Sequence, residues 1–147
     1  VLIGSAGLKP DDGEITDQML MSHTAYVQTS YRDDATFTEQ LGDEPPEEVR
    51  ELWDHSREMT ARVTWKPYMF NRRLAPLLAE VPTPALILWG GADRIIPPSV
   101  ATQWSAALPN ANVEVIADAG HLVELEEPDR IAALISAHVK ENRPTPR

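Results

Sequence analysis

The sequence predicts an α/β fold, a parallel sheet with crossover helices and an inserted helical segment, on three observations. Ala85-Leu86-Ile87-Leu88-Trp89 is a continuous apolar run of strand length, the pattern of a strand covered on both faces. Two further short apolar runs, Val1-Leu2-Ile3 and Val113-Glu114-Val115-Ile116, lead into turns that contain glycine. Pro98 and Pro128 each open a stretch with apolar positions at helical spacing, so the second half of the chain alternates strand, loop and helix as right-handed crossovers do.

Taken in order, Val1-Leu2-Ile3 is a buried strand closed by Gly4-Ser5-Ala6-Gly7. A domain rarely begins inside a core strand, so the chain reads as the later part of something larger. Thr16 or Asp17 is the expected N-cap of a helix whose apolar face is Met19, Leu20, His23, Tyr26, Val27 and Tyr31. Residues 32–44 are polar and read as a loop. Pro45-Pro46-Glu47-Glu48 starts a second amphipathic helix, with Val49, Leu52, Trp53, Met59 and Val63 on its apolar face, and Trp65-Lys66-Pro67-Tyr68 ends it. Val81-Pro82-Thr83-Pro84 is a stiff connector to the central strand, which Gly90-Gly91 stops. The helix opened by Pro98 turns Val100, Ala101, Trp104 and Leu108 inward, and the one opened by Pro128 turns Ile131, Ile135 and Val139 inward. Asn142 to Arg147 read as a frayed tail.

Length and composition bound the function. A chain of 147 residues with 42% hydrophobic and 24% charged residues holds about one ordinary domain. No apolar run reaches the roughly 20 residues of a membrane-crossing helix. The net charge of −10 disfavours a sequence-independent grip on nucleic acid. Most of that charge lies early: residues 1–80 hold 15 acids and 8 bases (−7), and residues 81–147 hold 8 and 5 (−3). The eight acids between Glu39 and Glu58 read as a solvated helix face. With no cysteine, disulfides, thiolate metal sites and a cysteine nucleophile are excluded. Neither G-x-x-x-x-G-K-[ST] nor G-x-G-x-x-G occurs, no acid or histidine grouping has metal-ligand spacing, and no cofactor is required. A cytoplasmic location is the expectation, although no retained leader and no cysteine usage speaks to it.

In a parallel sheet, ligands bind beyond the carboxyl ends of the strands. Two residues there have the chemistry of nucleophilic catalysis: Asp93, after Gly90-Gly91-Ala92, and His121, after Gly120. A histidine can take a proton from a weak nucleophile and return it to the leaving group, while a buried carboxylate fixes its tautomer and stabilises the imidazolium. The plainer alternatives are a loop Asp93 paired with Arg94 and a His121 that merely leads into a helix. His23 and His55 fit satisfied or partly exposed histidines of the helical segment better than ligands, and His138 fits a solvated one.

Together with their surroundings, the segments LILWGGADRIIP (86–97) and AGHLVELEEP (119–128) resemble the closing segments of the α/β-hydrolase superfamily. Asp93 and Pro97 match that family's Gly-x-x-Asp-x-x-x-Pro context, and Gly120, His121, Glu126 and Pro128 match Gly-His-x-x-x-x-Glu-x-Pro. The resemblance implies an incomplete α/β-hydrolase fold: residues 1–10 as a core strand and its exit, 11–80 as a helical cap, and 81–147 as the carboxyl-terminal part of the core. It further implies Asp93 as the orienting acid and His121 as the general base. The family's nucleophile elbow, Gly-x-Ser-x-Gly, does not occur, and Ser5 in Gly4-Ser5-Ala6-Gly7 has the wrong spacing, so the nucleophile is expected upstream of Val1.

By position, Trp65 and Tyr68, and Ile96, Leu122 and Val123 beside the two catalytic candidates, are expected to line an apolar substrate site. Met19 and Met21 fit cap packing slightly better. A carboxylic ester is the first substrate expectation. The resemblance also allows carbon–carbon bond hydrolysis of ring-cleavage products, amides or lactones, and epoxide or haloalkane hydrolysis with an aspartate nucleophile. The reading from another class is a non-catalytic fragment or self-associating module, with an amino-terminal half or a second copy on the open sheet edge.

Overall fold

The computed structural model describes residues 1–64 and 66–143. Its sheet has three parallel strands in the order β1 (Leu2–Ile3), β2 (Ala85–Gly90), β3 (Ala111–Ile116). Leu2 and Ile3 pair with Ile87 and Leu88, and β2 pairs along its length with β3, from Ala85 opposite Ala111 to Gly90 opposite Ile116. All three strands therefore end on one edge of the sheet.

The expectation for β2 holds residue by residue. Because side chains alternate along a strand, Ile87 and Trp89 face one layer and Leu86 and Leu88 the other. The first pair packs with Val100, Ala101 and Trp104 of α5 (Ser99–Ala107) and with Ile95 and Ile96. The second packs with Val123 of α6 (Val123–Glu126) and Ile131 of α7 (Pro128–Glu141). Trp89 is fully buried, and its indole N–H donates to the Ile96 carbonyl at 3.2 Å, so the one polar atom of the largest core side chain is satisfied. In α7, Ile131 is buried and Leu134 and Ile135 pack against the cluster, but Val139 is 56% exposed and corrects the expectation for that position.

Between β1 and β2 the chain is helical, with boundaries that differ from those read in the sequence. Residues 16–31 do not form one helix. A short 3-10 turn at Gln18–Leu20, capped by Asp17, is followed by α1 (His23–Ser30), whose start is set by the Ser22 hydroxyl accepting the Ala25 N–H. The polar stretch read as a loop contains α2 (Asp34–Leu41). Asp33 Oδ1 accepts both the backbone N–H and the hydroxyl of Thr36 at 2.8 Å, Gly42 ends the helix at a φ of 77°, and Phe37 is buried edge-on against Tyr31. One aromatic and a good cap were enough to outweigh the polar composition.

Helix α3 (Glu47–Thr64) forms where expected, but it is turned differently. Leu52, Met59 and Val63 face outward, at 63%, 47% and 78% exposure, and Val49 and Trp53 face α1. A short α4 (Leu74–Leu78), not foreseen, packs on α5. Among the described residues, no helix is long and apolar enough to cross a membrane.

Candidate active site

The loops after β2 and β3 bring Asp93 and His121 together. His121 Nδ1 lies 2.9 Å from Asp93 Oδ2. The other oxygen, Oδ1, accepts the backbone N–H groups of Ile95 at 2.8 Å and Ile96 at 2.9 Å, and the Asp93 side chain is fully buried. A carboxylate whose first oxygen is held by two backbone donors can offer its second only as an acceptor, so the proton of a neutral imidazole belongs on Nδ1. Nε2 is then left with its lone pair, and the His121 side chain keeps 20% exposure. This is the arrangement a general base requires.

Two glycines explain why these loops can cross. A Cβ on Gly90 would collide with the Gly120 carbonyl oxygen, and one on Gly120 would lie 2.5 Å from the Arg32 backbone nitrogen. Three backbone segments are thus stacked: the end of β2, the turn before His121, and the chain leaving α1. Gly4, at a φ of 48°, lies directly beneath the histidine, since an added Cβ would stand 3.1 Å from both Nδ1 and Cε1 of His121.

The carboxyl end of α1 is tied to the same loops. A helix leaves its last carbonyls without internal partners. Here the Ser30 carbonyl accepts the N–H groups of His121 at 2.8 Å and Leu122 at 3.2 Å. Arg94 donates to the carbonyls of Tyr31 at 2.9 Å and Gln28 at 3.3 Å, which also sets a cation at the negative end of the helix. Arg94 therefore does not pair with its neighbour Asp93; its nearest carboxylate is Asp34, at 4.0 Å. Glu126 completes the junction: its Oε1 accepts the Arg32 N–H at 2.8 Å, and both of its oxygens lie 3.2 Å from the Gly120 N–H. The sequence singled out Glu126 by resemblance, and the physical reason is this bridge.

A cavity of about 400 Å³ opens beside His121, roofed by α1, α2 and α3. Of the residues expected to line a substrate site, Leu122 borders this cavity. Val123 does not: it is fully buried among Leu86, Leu88 and Ile131, because α6 turns it toward the sheet. Ile96 is also core, 1% exposed, and serves Asp93 through its backbone. The Tyr68 hydroxyl accepts from the Gln18 N–H at 3.2 Å and reaches the Thr16 carbonyl at 3.4 Å, which pins the segment before α1. Trp65 lies outside the described residues. Ser5 turns its hydroxyl back to the Ile3 carbonyl at 3.3 Å.

Sequence reasoning missed most of the cavity lining, including its polar and aromatic residues His23, Tyr26 and Trp53. Tyr26 is held protonated, its hydroxyl pKa pushed well above the ordinary value first by burial and then by Tyr68, Asp93 and Asp17. The available signal was the placement of His23 and Tyr26, three residues apart, on one helical face. That face was read as packing. Among the described residues, no group of three or more acids and histidines could hold a metal ion.

The model of the alpha/beta hydrolase family matches residues 2–134. The chain belongs to the alpha/beta hydrolase family. Among curated relatives of this family member, the 2-hydroxy-6-oxononadienedioate/2-hydroxy-6-oxononatrienedioate hydrolase of Burkholderia vietnamiensis is 29% identical over 103 residues, 70% of this chain and 35% of the relative. The protein of the same name from Paraburkholderia phymatum is 27% identical over 129 residues, 88% of this chain and 44% of the relative. The solved meta-cleavage product hydrolase of Pseudomonas fluorescens superposes with a TM-score of 0.65 at 19% identity, covering 95% of this chain and 54% of that one, which is a likeness of fold. This alpha/beta hydrolase chain thus spans less than half of either curated relative.

Proposed function

We propose that this chain supplies the acid and the base of a hydrolase that cleaves its substrate at a carbonyl carbon, with Asp93 orienting His121 and residues 11–80 acting as a cap. The observation that carries this is the contact of 2.9 Å between a buried, doubly anchored carboxylate and a histidine whose second nitrogen is left available. In the reaction, Nε2 of His121 removes the proton from the nucleophile as it attacks, Asp93 stabilises the imidazolium, and the proton then passes to the leaving group. The nucleophile comes from residues outside these 147. Two facts support that reading: no Gly-x-Ser-x-Gly occurs, and the Ser5 hydroxyl is turned to its own strand. The outer edge of β1, which pairs with β2 on its other side, is the proposed place for the missing part of the sheet.

A carboxylic ester is the first substrate class. Carbon–carbon bond hydrolysis of an unsaturated ring-cleavage product is the second reading, favoured by the names that the Burkholderia and Paraburkholderia relatives carry. Both reactions pass through attack on a carbonyl carbon and use the same base. The deciding experiment measures turnover of an aryl ester and of a 2-hydroxy-6-oxodienoate by the complete protein and by its His121→Ala form. Loss of turnover in the variant, with circular dichroism unchanged, is the expected result, and retained turnover would overturn the assignment of His121.

A further inference from the structure

Three consecutive backbone N–H groups hold the loop of His121. Those of His121 and Leu122 are taken by the Ser30 carbonyl at the end of α1. The third, on Gly120, goes to the carboxylate of Glu126, both of whose oxygens lie 3.2 Å from the nitrogen. Glu126 is the last residue of α6, and α6 is rooted in the core: Val123 is fully buried among Leu86, Leu88 and Ile131, and its carbonyl accepts the Glu127 N–H at 2.9 Å. The loop is therefore tied to the roof through a backbone carbonyl and to the core through one side chain.

The same carboxylate holds a second segment of the backbone stack. Its Oε1 accepts the Arg32 N–H at 2.8 Å, where the chain leaves α1 and lies against Gly120. The Arg32 side chain closes the junction, with Nε donating to the Thr36 hydroxyl of α2 at 2.8 Å and a terminal nitrogen donating to the Asp118 carbonyl at 3.2 Å, in the turn before His121. One charged acceptor thus fixes the spacing of two backbone segments, and hydrogen bonds to a charged group are roughly twice as strong as neutral ones. Without it, two N–H donors inside the stack would lose their acceptor, a cost that the loop can relieve only by shifting. Asp93 fixes how the imidazole ring is turned, but the backbone at 120–122 fixes where the ring stands. A misplacement of about 1 Å at a reacting group can cost on the order of 10²-fold in rate.

We propose that Glu126 is a positioning residue for the reaction: through the Gly120 and Arg32 N–H groups, its carboxylate holds the backbone of His121 at the spacing from α1 that lets Nε2 meet the nucleophile. Glu126 lies outside the cavity lining, so its effect belongs in kcat and not in KM. The work is done by a charged acceptor with two oxygens, so a side chain of the same shape without the charge does it less well, and an apolar one does not do it at all.

This inference rests on the reading of His121 as the base, and the experiment separates the two. In the complete protein, turnover of an aryl ester is measured for Glu126→Gln, which keeps the shape and loses the charge, for Glu126→Leu, which loses both acceptors, and for Gln40→Ala as a control. Gln40 also ties α2 to α6, its Nε2 donating to the Leu125 carbonyl at 3.1 Å, but it holds neither Gly120 nor Arg32. The expected result is a kcat lower by about tenfold in Glu126→Gln and about a hundredfold in Glu126→Leu, with KM within about twofold and kcat of Gln40→Ala unchanged. The proton on His121 Nδ1, observed by NMR with ¹⁵N-labelled histidine, should shift or broaden in Glu126→Leu and stay in place in Gln40→Ala. That resonance reads the loop without turnover, so it decides the matter even for a protein that does not cleave the ester. A folded Glu126→Leu protein with native kcat and an unmoved Nδ1 proton, or an equal loss in Gln40→Ala, would overturn the role of Glu126. Should Glu126→Leu fail to fold, the same two readouts apply to Glu126→Gln. Full turnover by His121→Ala would instead overturn the base, whereas an inactive His121→Ala beside native Glu126 variants would overturn the positioning role alone.

Discussion

The loops at the strand ends and the helices above them obey different constraints. Around Asp93 and His121 nearly every polar group is committed: two backbone donors on Oδ1, the imidazole on Oδ2, and two loop N–H groups on the Ser30 carbonyl. Helix α3 has no buried residue and carries Leu52, Met59 and Val63 toward solvent. A site whose geometry must be held within fractions of an ångström is built on the committed part, whereas the wall that meets varied ligands can be loosely packed. In the proposed function, chemistry sits on the first and selection on the second.

The largest effect that could break this comparison is on turnover. His121→Ala in the complete protein should lower kcat by at least about 10²–10⁴-fold with the fold retained. Next is stability. Leu88→Ala, deep under the site, should cost about 2–5 kcal/mol in urea unfolding, since it leaves a cavity between β2 and α7. Gly120→Ala should cost about 1–3 kcal/mol and also slow turnover, because the added methyl forces the His121 loop away from Arg32. A fully stable and active Gly120→Ala protein would show that the stack of three backbones is not needed.

The helical region makes smaller predictions. Burial holds the His23 imidazole pKa below its ordinary 6.5, with Asp54 opposing and Arg57 reinforcing the shift. The unfolded chain therefore binds more protons just below that value. The stability that His23 supports is complete above it and is lost as the pH falls through the window beneath it. Unfolding midpoints taken above and below the window should differ more in the native sequence than in His23→Phe. At the low end, Val63→Ser on the outer face of α3 should change stability by no more than about 0.5 kcal/mol. A larger loss would mean that this face is covered by another part of the protein.

The same contrast decides what could be read from the sequence. Strands β2 and β3 were legible because an apolar run that stops at glycine has few alternatives, and Asp93 and His121 because strand ends are where a parallel sheet places chemistry. The turning of α3 was not legible. Leu52, Trp53, Met59 and Val63 are all apolar, and only the packed structure reveals that Trp53 faces the cavity. Helix α2 was hidden by its polarity, though Asp33 and Gly42 marked both of its ends. Val123 was misplaced because Leu122 is the N-cap and Val123 the first residue of α6, and the two point in different directions, Leu122 to the cavity and Val123 to the core.

The double use of the Ser30 carbonyl has a dynamic consequence. The amide hydrogens of His121 and Leu122 are held by an oxygen that belongs to another segment of the chain, so neither can reach solvent until α1 lets go. Their exchange with deuterium is thus timed by one opening event and should proceed at a common rate. Together they act as a built-in clock for how often the roof lifts off His121.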